Sequence, residues 1–161
     1  MTKAFRPQDH RFCAPRYFDE FRVGETFYIN SRTQTDALFS AFQLASGDNH
    51  PIHYDVEYCR ARGHRNLLAH GLQVLIQTAS GGGVFPHVVG DALVAFIEVG
   101  AKFLKPVYAG DTLYPGLEVI ECIPGRTTGV LVLCATVHNQ NGELVLDGTH
   151  RYLLRRRPAA G

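Results

Sequence analysis

Cysteine is scarce in this chain: four in 161 residues (Cys13, Cys59, Cys122 and Cys134), none of them in a CxxC pair. That spacing fits neither a zinc site nor a dense disulfide framework. Charge is also sparse. Asp, Glu, Lys and Arg make up 19% of the residues, and sixteen basic side chains face fifteen acidic ones, for a formal net charge of +1. A near-neutral balance argues against nucleic acid or a membrane surface as the main partner, because both select a basic face. Long apolar runs are absent too. Asp91, Glu98 and Lys102 interrupt the most apolar stretch, so no segment reaches the ~18 residues of a membrane span. The N-terminal MTKAFRPQDHRFCAPRYF lacks the apolar region of a signal peptide. The expectation is a cytoplasmic chain with reduced thiols, in which Cys122 and Cys134 serve as buried small hydrophobes. No internal repeat is found.

What is present suffices for one core. The residues AVILMFWYC account for 45% of the chain, which at this length suggests a single domain. Residues 1–15, with Pro7 and Pro15, read as an N-terminal arm, residues 16–157 as the domain, and residues 158–161 as a tail. The preceding Arg155-Arg156-Arg157 reads as a solvated run. Thr26–Thr35 carries β-branched and aromatic residues and predicts a first strand. Leu38, Ala41, Phe42 and Ala45 follow a 3.6-residue period from a Thr35-Asp36 start to a Ser46-Gly47 stop, which predicts a short helix. A second short helix fits Asp55–Arg62, closed by Gly63.

Leu67–Ser80 carries the clearest helical pattern. Leu68, Leu72, Leu75, Ile76 and Ala79 form one stripe, Gln73 and Gln77 another, and Gly71 and Gly81-Gly82-Gly83 mark the ends. Four strand-like runs follow: Leu93–Leu104, Thr112–Cys122, Thr127–Asn139 and Glu143–Arg155. Gly110-Asp111, Pro124-Gly125 and Asn141-Gly142 punctuate them, the last a hairpin signal. Sequential strands with tight turns are antiparallel neighbours. The fold class expected is α+β: an antiparallel sheet of about five strands wrapped around one long central helix.

The densest polar cluster is Ser46-Gly47-Asp48-Asn49-His50-Pro51-Ile52-His53. A carboxylate and an imidazole five apart on a proline-stiffened loop can converge on one substrate atom as a proton-transfer pair. Turn chemistry with a surface histidine is the plainer account of the same residues. His50-x-x-His53 lacks the helical i,i+4 spacing of a zinc motif and has no third ligand in obvious register, so no metal is expected.

The same segment, Ser46-Gly47-Asp48-x-x-Pro51-Ile52-His53, resembles the hydratase motif of the MaoC-like enoyl-CoA hydratases and dehydratases. Three further segments agree in family order: Arg16–Glu25, Ala69-His70-Gly71-Leu72 and Phe103–Leu113. The resemblance implies a hot dog fold and a catalytic Asp48–His53 dyad acting on a 2-enoyl-CoA or 3-hydroxyacyl-CoA thioester. The Gly71 backbone N–H would receive the developing enolate oxygen. Ser46, His50, His70 and Leu72 complete the candidate substrate-binding set. His50 stands where the family usually has Asn. His70 either lines the site or bonds nearby backbone. No cofactor beyond the CoA thioester substrate is implied, and the expected partners are acyl-CoA and further copies of the chain, in a homodimer or larger homo-oligomer.

Two rivals remain. A hot dog thioesterase would place an acidic residue on the central helix, but no Asp or Glu occurs between Glu57 and Asp91. A non-catalytic acyl-thioester binding module would leave the dyad idle.

Overall fold

A computed structural model describes residues 4–158. After an arm and a short 3₁₀ turn at Phe18–Glu20, the chain forms β1 (Thr26–Tyr28), β2 (Arg32–Thr33), α1 (Asp36–Ser46), α2 (Val56–Arg60), α3 (Gly71–Leu75) and α4 (Phe85–Val89). It then runs through β3 (Leu93–Phe103), β4 (Thr112–Pro124), β5 (Thr128–His138) and β6 (Leu144–Arg155). The sheet has six antiparallel strands in the order β1-β4-β5-β6-β3, with β2 also paired to β4.

The sixth strand arises because the run expected as one strand over 26–35 divides. Ile29 N–H bonds the Pro115 carbonyl, but Asn30 N–H turns to the Gly82 carbonyl, and Ile29 bridges Gly83. Glycine is needed at position 83, because a Cβ there would lie 2.4 Å from the Tyr28 carbonyl oxygen. Register shifts between Val119 and Glu121, and between Phe96 and Glu98, curve the sheet. Alternate residues of β5 (Leu131, Leu133, Ala135, Val137) face the concave side and are fully buried. Two apolar clusters fill that side. One gathers Phe21, Phe27, Phe85 and Leu117; the other gathers Phe39, Val74, Leu113 and Val145.

The central helical segment is shorter than its apolar pattern suggests. Residues 67–69 run extended, with Ala69 N–H on the Val107 carbonyl and Ala109 N–H on the Leu67 carbonyl. These nonlocal bonds override local helix preference. Helix begins at Gly71, and α3 continues as a 3₁₀ turn over Ile76–Thr78. Its orientation also differs from the expected one. Gln73, Val74 and Thr78 are buried, whereas Leu72 and Ile76 are 53% and 54% exposed. The buried polar groups are paired. Gln73 Nε2 donates to Gln34 Oε1 at 3.4 Å, and Thr78 Oγ1 lies 3.0 Å from His150 Nε2.

Smaller corrections concern the thiols and the arginine run. All four cysteines are unpaired, but Cys122 and Cys134 are half-buried rather than enclosed. Arg156 and Arg157 are not free in solvent: they pair with Asp19 and Glu20 at 2.7 and 2.8 Å. The arm is tied to α4 by Phe12, whose ring centroid lies 4.5 Å from that of His87. Of the expected tail 158–161, residues 159–161 lie outside the described residues. No helix among the described residues is long and apolar enough to cross a membrane.

Candidate active site

The loop between α1 and α2 carries the candidate carboxylate. Thr35 caps the start of α1, and Gly47 ends it at φ 71°, a left-handed conformation that glycine adopts without steric cost. Ser46 Oγ accepts from the Asp48 backbone N–H at 3.2 Å and so shapes the loop that presents Asp48. Asp48 Oδ1 accepts from the His50 N–H at 2.9 Å. His50 Nδ1 accepts from the Ile52 N–H at 3.3 Å and caps the 3₁₀ turn Pro51–His53. His50 therefore braces the loop from both its backbone and its ring, and its exposed side chain meets the His53 ring edge-on, with centroids 6.2 Å apart.

Asp48, His53 and His70 converge. His70 Nε2 lies 3.0 Å from Asp48 Oδ2 and His53 Nε2 lies 3.9 Å from the same oxygen. The two imidazole centroids are 5.2 Å apart. Backbone partners fix both neutral tautomers. His53 Nδ1 is 2.7 Å from the Leu68 carbonyl, which can only accept, so Nδ1 carries the proton and Nε2 is a bare acceptor. His70 Nδ1 accepts from the Leu72 N–H at 3.0 Å, so its proton sits on Nε2 and is donated to Asp48. The His50 N–H, and the charge of the His53, His70 and His50 rings wherever they are protonated, hold the Asp48 carboxyl below the usual range. The cluster thus offers an ionised carboxylate and an unprotonated imidazole nitrogen on one small space.

These three side chains have ligand atoms within 4.8 Å of one another and could in principle hold a cation. The hydrogen bonds oppose it. Coordination through His70 Nε2 would move the ring proton to Nδ1, against the Leu72 N–H that now points there.

Gly71 follows His70 at the first helical position, where the N–H has no acceptor within the helix. A cavity of about 430 Å³ opens beside it, lined by Leu68, Val74, Phe103, Pro106 and Val145 among others. A Cβ at position 71 would approach the Phe103 ring to 3.1 Å. Larger depressions, of about 760 and 980 Å³, lie elsewhere: by Tyr28 and Tyr114 on the sheet, and by Arg126 and Arg155. The Leu72 N–H is taken by His70 Nδ1, and the Leu72 side chain is exposed while Val74 is buried. The sequence reading did not pick out Phe42, whose ring tilts against His70 at 5.2 Å. It was legible only as one member of the α1 stripe.

The MaoC like domain family matches residues 20–140, a span holding Asp48, His53, His70 and Gly71. The chain belongs to that family. It is 28% identical over 136 residues to a 3-hydroxybutyryl-CoA dehydratase of Methylorubrum extorquens, covering 82% of this chain and 80% of that one. Among solved structures, a monoamine oxidase regulatory protein from Archaeoglobus fulgius superposes with a TM-score of 0.83 at 30% identity, covering 89% and 97% of the two chains. A Mycobacterium tuberculosis protein with a double hot dog fold superposes with a TM-score of 0.75 at 28% identity, covering 91% of this chain and 46% of that one. The curved antiparallel sheet with its short helical segment on the concave side is therefore a hot dog fold.

Proposed function

We propose that this MaoC-like protein catalyses the reversible hydration of a 2-enoyl-CoA to a 3-hydroxyacyl-CoA. The observation that carries the reading is the pair of acceptors, Asp48 Oδ2 and the bare His53 Nε2, set 3.9 Å apart, with His70, the residue before Gly71, bonded to the same carboxylate oxygen. That gap suits a water hydrogen-bonded to both. In hydration, His53 Nε2 takes one proton from the water as its oxygen bonds to Cβ. Asp48 accepts the other O–H, orients the water and stabilises the imidazolium. The Cα–Cβ π electrons move toward the thioester, whose enolate oxygen receives the Gly71 N–H. The imidazolium then returns its proton to Cα. The sum is addition of one water across the double bond, and the reverse sequence is dehydration. No metal or further cofactor enters these steps.

The same reading includes self-association. Among the described residues β3 pairs only with β6, which leaves its other edge open. Phe96, Val99 and Phe103 on that strand and Leu72 and Ile76 on the helical segment are all 45–54% exposed. An open strand edge beside an uncovered apolar face suits a second copy of the chain.

Crotonyl-CoA is the test. Loss of the enone absorbance without release of free thiol supports hydration. Release of free thiol would instead indicate a thioesterase, and binding without either change a non-catalytic module.

A further inference from the structure

His70 holds a place in the site that neither substrate binding nor simple helix capping describes. Its Nε2–H reaches Asp48 Oδ2 at 3.0 Å, while His53 stands off at 3.9 Å. The other carboxylate oxygen is taken by the His50 N–H. Both oxygens of Asp48 are therefore anchored, one from its own loop and one from across the fold. The Leu72 N–H on His70 Nδ1 dictates which ring nitrogen carries the proton, and Phe42 packs on the ring at 5.2 Å. One imidazole thus joins the Asp48 loop to the first turn of α3, in the residue immediately before Gly71.

We infer that His70 is the positioning residue of this site: it holds the Asp48 carboxylate, ionised and oriented, in fixed relation to the Gly71 N–H. This rests on the reading of Asp48 as a reacting group. A carboxylate that loses one of two donors is freer to rotate and easier to protonate. Misplacement by about 1 Å can cost on the order of 10²-fold in rate.

The two ring nitrogens can be separated by substitution. Asn places its carbonyl oxygen near the position of Nδ1, so His70→Asn keeps the Leu72 cap and loses the bond to Asp48. Gln places its amide nitrogen near the position of Nε2, so His70→Gln keeps the bond to Asp48 and loses the cap. With crotonyl-CoA, His70→Asn is expected to melt like the native protein but to lose about 10- to 100-fold in kcat. His70→Gln is expected to melt lower yet keep most of the turnover. Equal losses of turnover in both variants would reduce His70 to a cap and overturn the inference. Carbon-13 titration of the Asp48 carboxyl supplies a readout without substrate: the midpoint rises in His70→Asn and not in His70→Gln. If the native protein hydrates nothing but this titration holds, the functional reading fails and the positioning role stands. If the midpoints coincide, the positioning role fails whatever the activity.

Discussion

The hydrogen bond between His53 Nδ1 and the Leu68 carbonyl, 2.7 Å long, orients the imidazole and leaves its Nε2 bare toward Asp48. It ties the loop that follows α1 to the extended segment leading into α3. The Ile52 carbonyl, one residue before His53, receives the Leu68 N–H, so the tie is double.

Removing either reacting group should stop hydration and spare the fold. Asp48→Asn and His53→Ala are each expected to lower crotonyl-CoA turnover by about 10²–10⁴-fold, the usual contribution of a positioned acid or base. His53→Asn is the sharper variant. Its amide can still donate to the Leu68 carbonyl, but no basic nitrogen remains at the Nε2 position. It should melt like the native protein and be as inactive as His53→Ala. Native turnover in Asp48→Asn and His53→Asn would remove the dyad from the mechanism.

Local patterns made most of the fold legible. The alternating run Leu93–Leu104 is β3, Leu93–Phe103, and Asn141-Gly142 forms the turn between β5 and β6, with Gly142 at φ 73°. α1 begins and ends at the Thr35 and Gly47 signals. What was not legible depends on distant partners. Leu67–Ala69 is helical by pattern and extended in fact, because Val107 and Ala109 supply its hydrogen bonds. The Leu72–Ile76 stripe is apolar yet faces outward, while Gln73 is 2% exposed and paired with Gln34. Periodicity identifies an apolar face but not whether it turns toward the chain's own sheet. The spacing of Asp48 and His53 allowed a pair but also plain turn chemistry, and it was the resemblance to the MaoC-like motif that singled them out. The Asp48–His70 contact spans 22 positions and follows no local rule.

Gly71 links activity to packing, and the two can be separated. A branched side chain there would crowd the region of the Gly71 N–H and press on Phe103, which sits 3.1 Å from a Cβ at that position. Because Phe103 is 51% exposed, its ring has room to yield. Gly71→Val is therefore expected to lose on the order of 10²–10³-fold in turnover, the loss typical of an oxyanion donor, with little change in melting. The double variant Gly71→Val with Phe103→Ala removes the steric conflict. Recovery of turnover in the double variant would make Gly71 a packing residue and end its role as oxyanion donor.

The open edge of β3 sets the assembly. Light scattering is expected to give a species of about twice the 17.8 kDa chain mass or more. Val99 is 45% exposed on that strand, so Val99→Lys should leave the single-chain fold intact. It places a charge in the apolar face, and a monomer should result. A native monomer at micromolar concentration, or a Val99→Lys protein of undiminished size, would show that this edge is not the contact.

The last prediction concerns acid stability and His150, which is 3% exposed beneath the helical segment, between Thr78 Oγ1 at 3.0 Å and Tyr152 Oη at 3.3 Å. Burial pushes its pKa down to about 4 from the ordinary 6.5. The folded chain thus keeps the ring neutral at pH values where the unfolded chain binds a proton. Its contribution to stability is complete above pH 6.5 and is lost as the pH falls through about 4, below which both states are protonated. That separation corresponds to on the order of 3 kcal/mol. His150→Gln keeps an amide donor for Thr78 and has nothing to titrate. Urea unfolding at fixed protein concentration, stepped from pH 7 to pH 4, should show the native protein losing more stability than this variant. Asp19, Glu20, Asp48 and Asp111, all held below the ordinary carboxylate range, are present in both proteins, so their losses in acid cancel in the difference. If the two stability curves fall in parallel from pH 6.5 to pH 4, His150 is protonated as readily in the fold as outside it. The Thr78–His150–Tyr152 contact would then contribute nothing to the pH dependence.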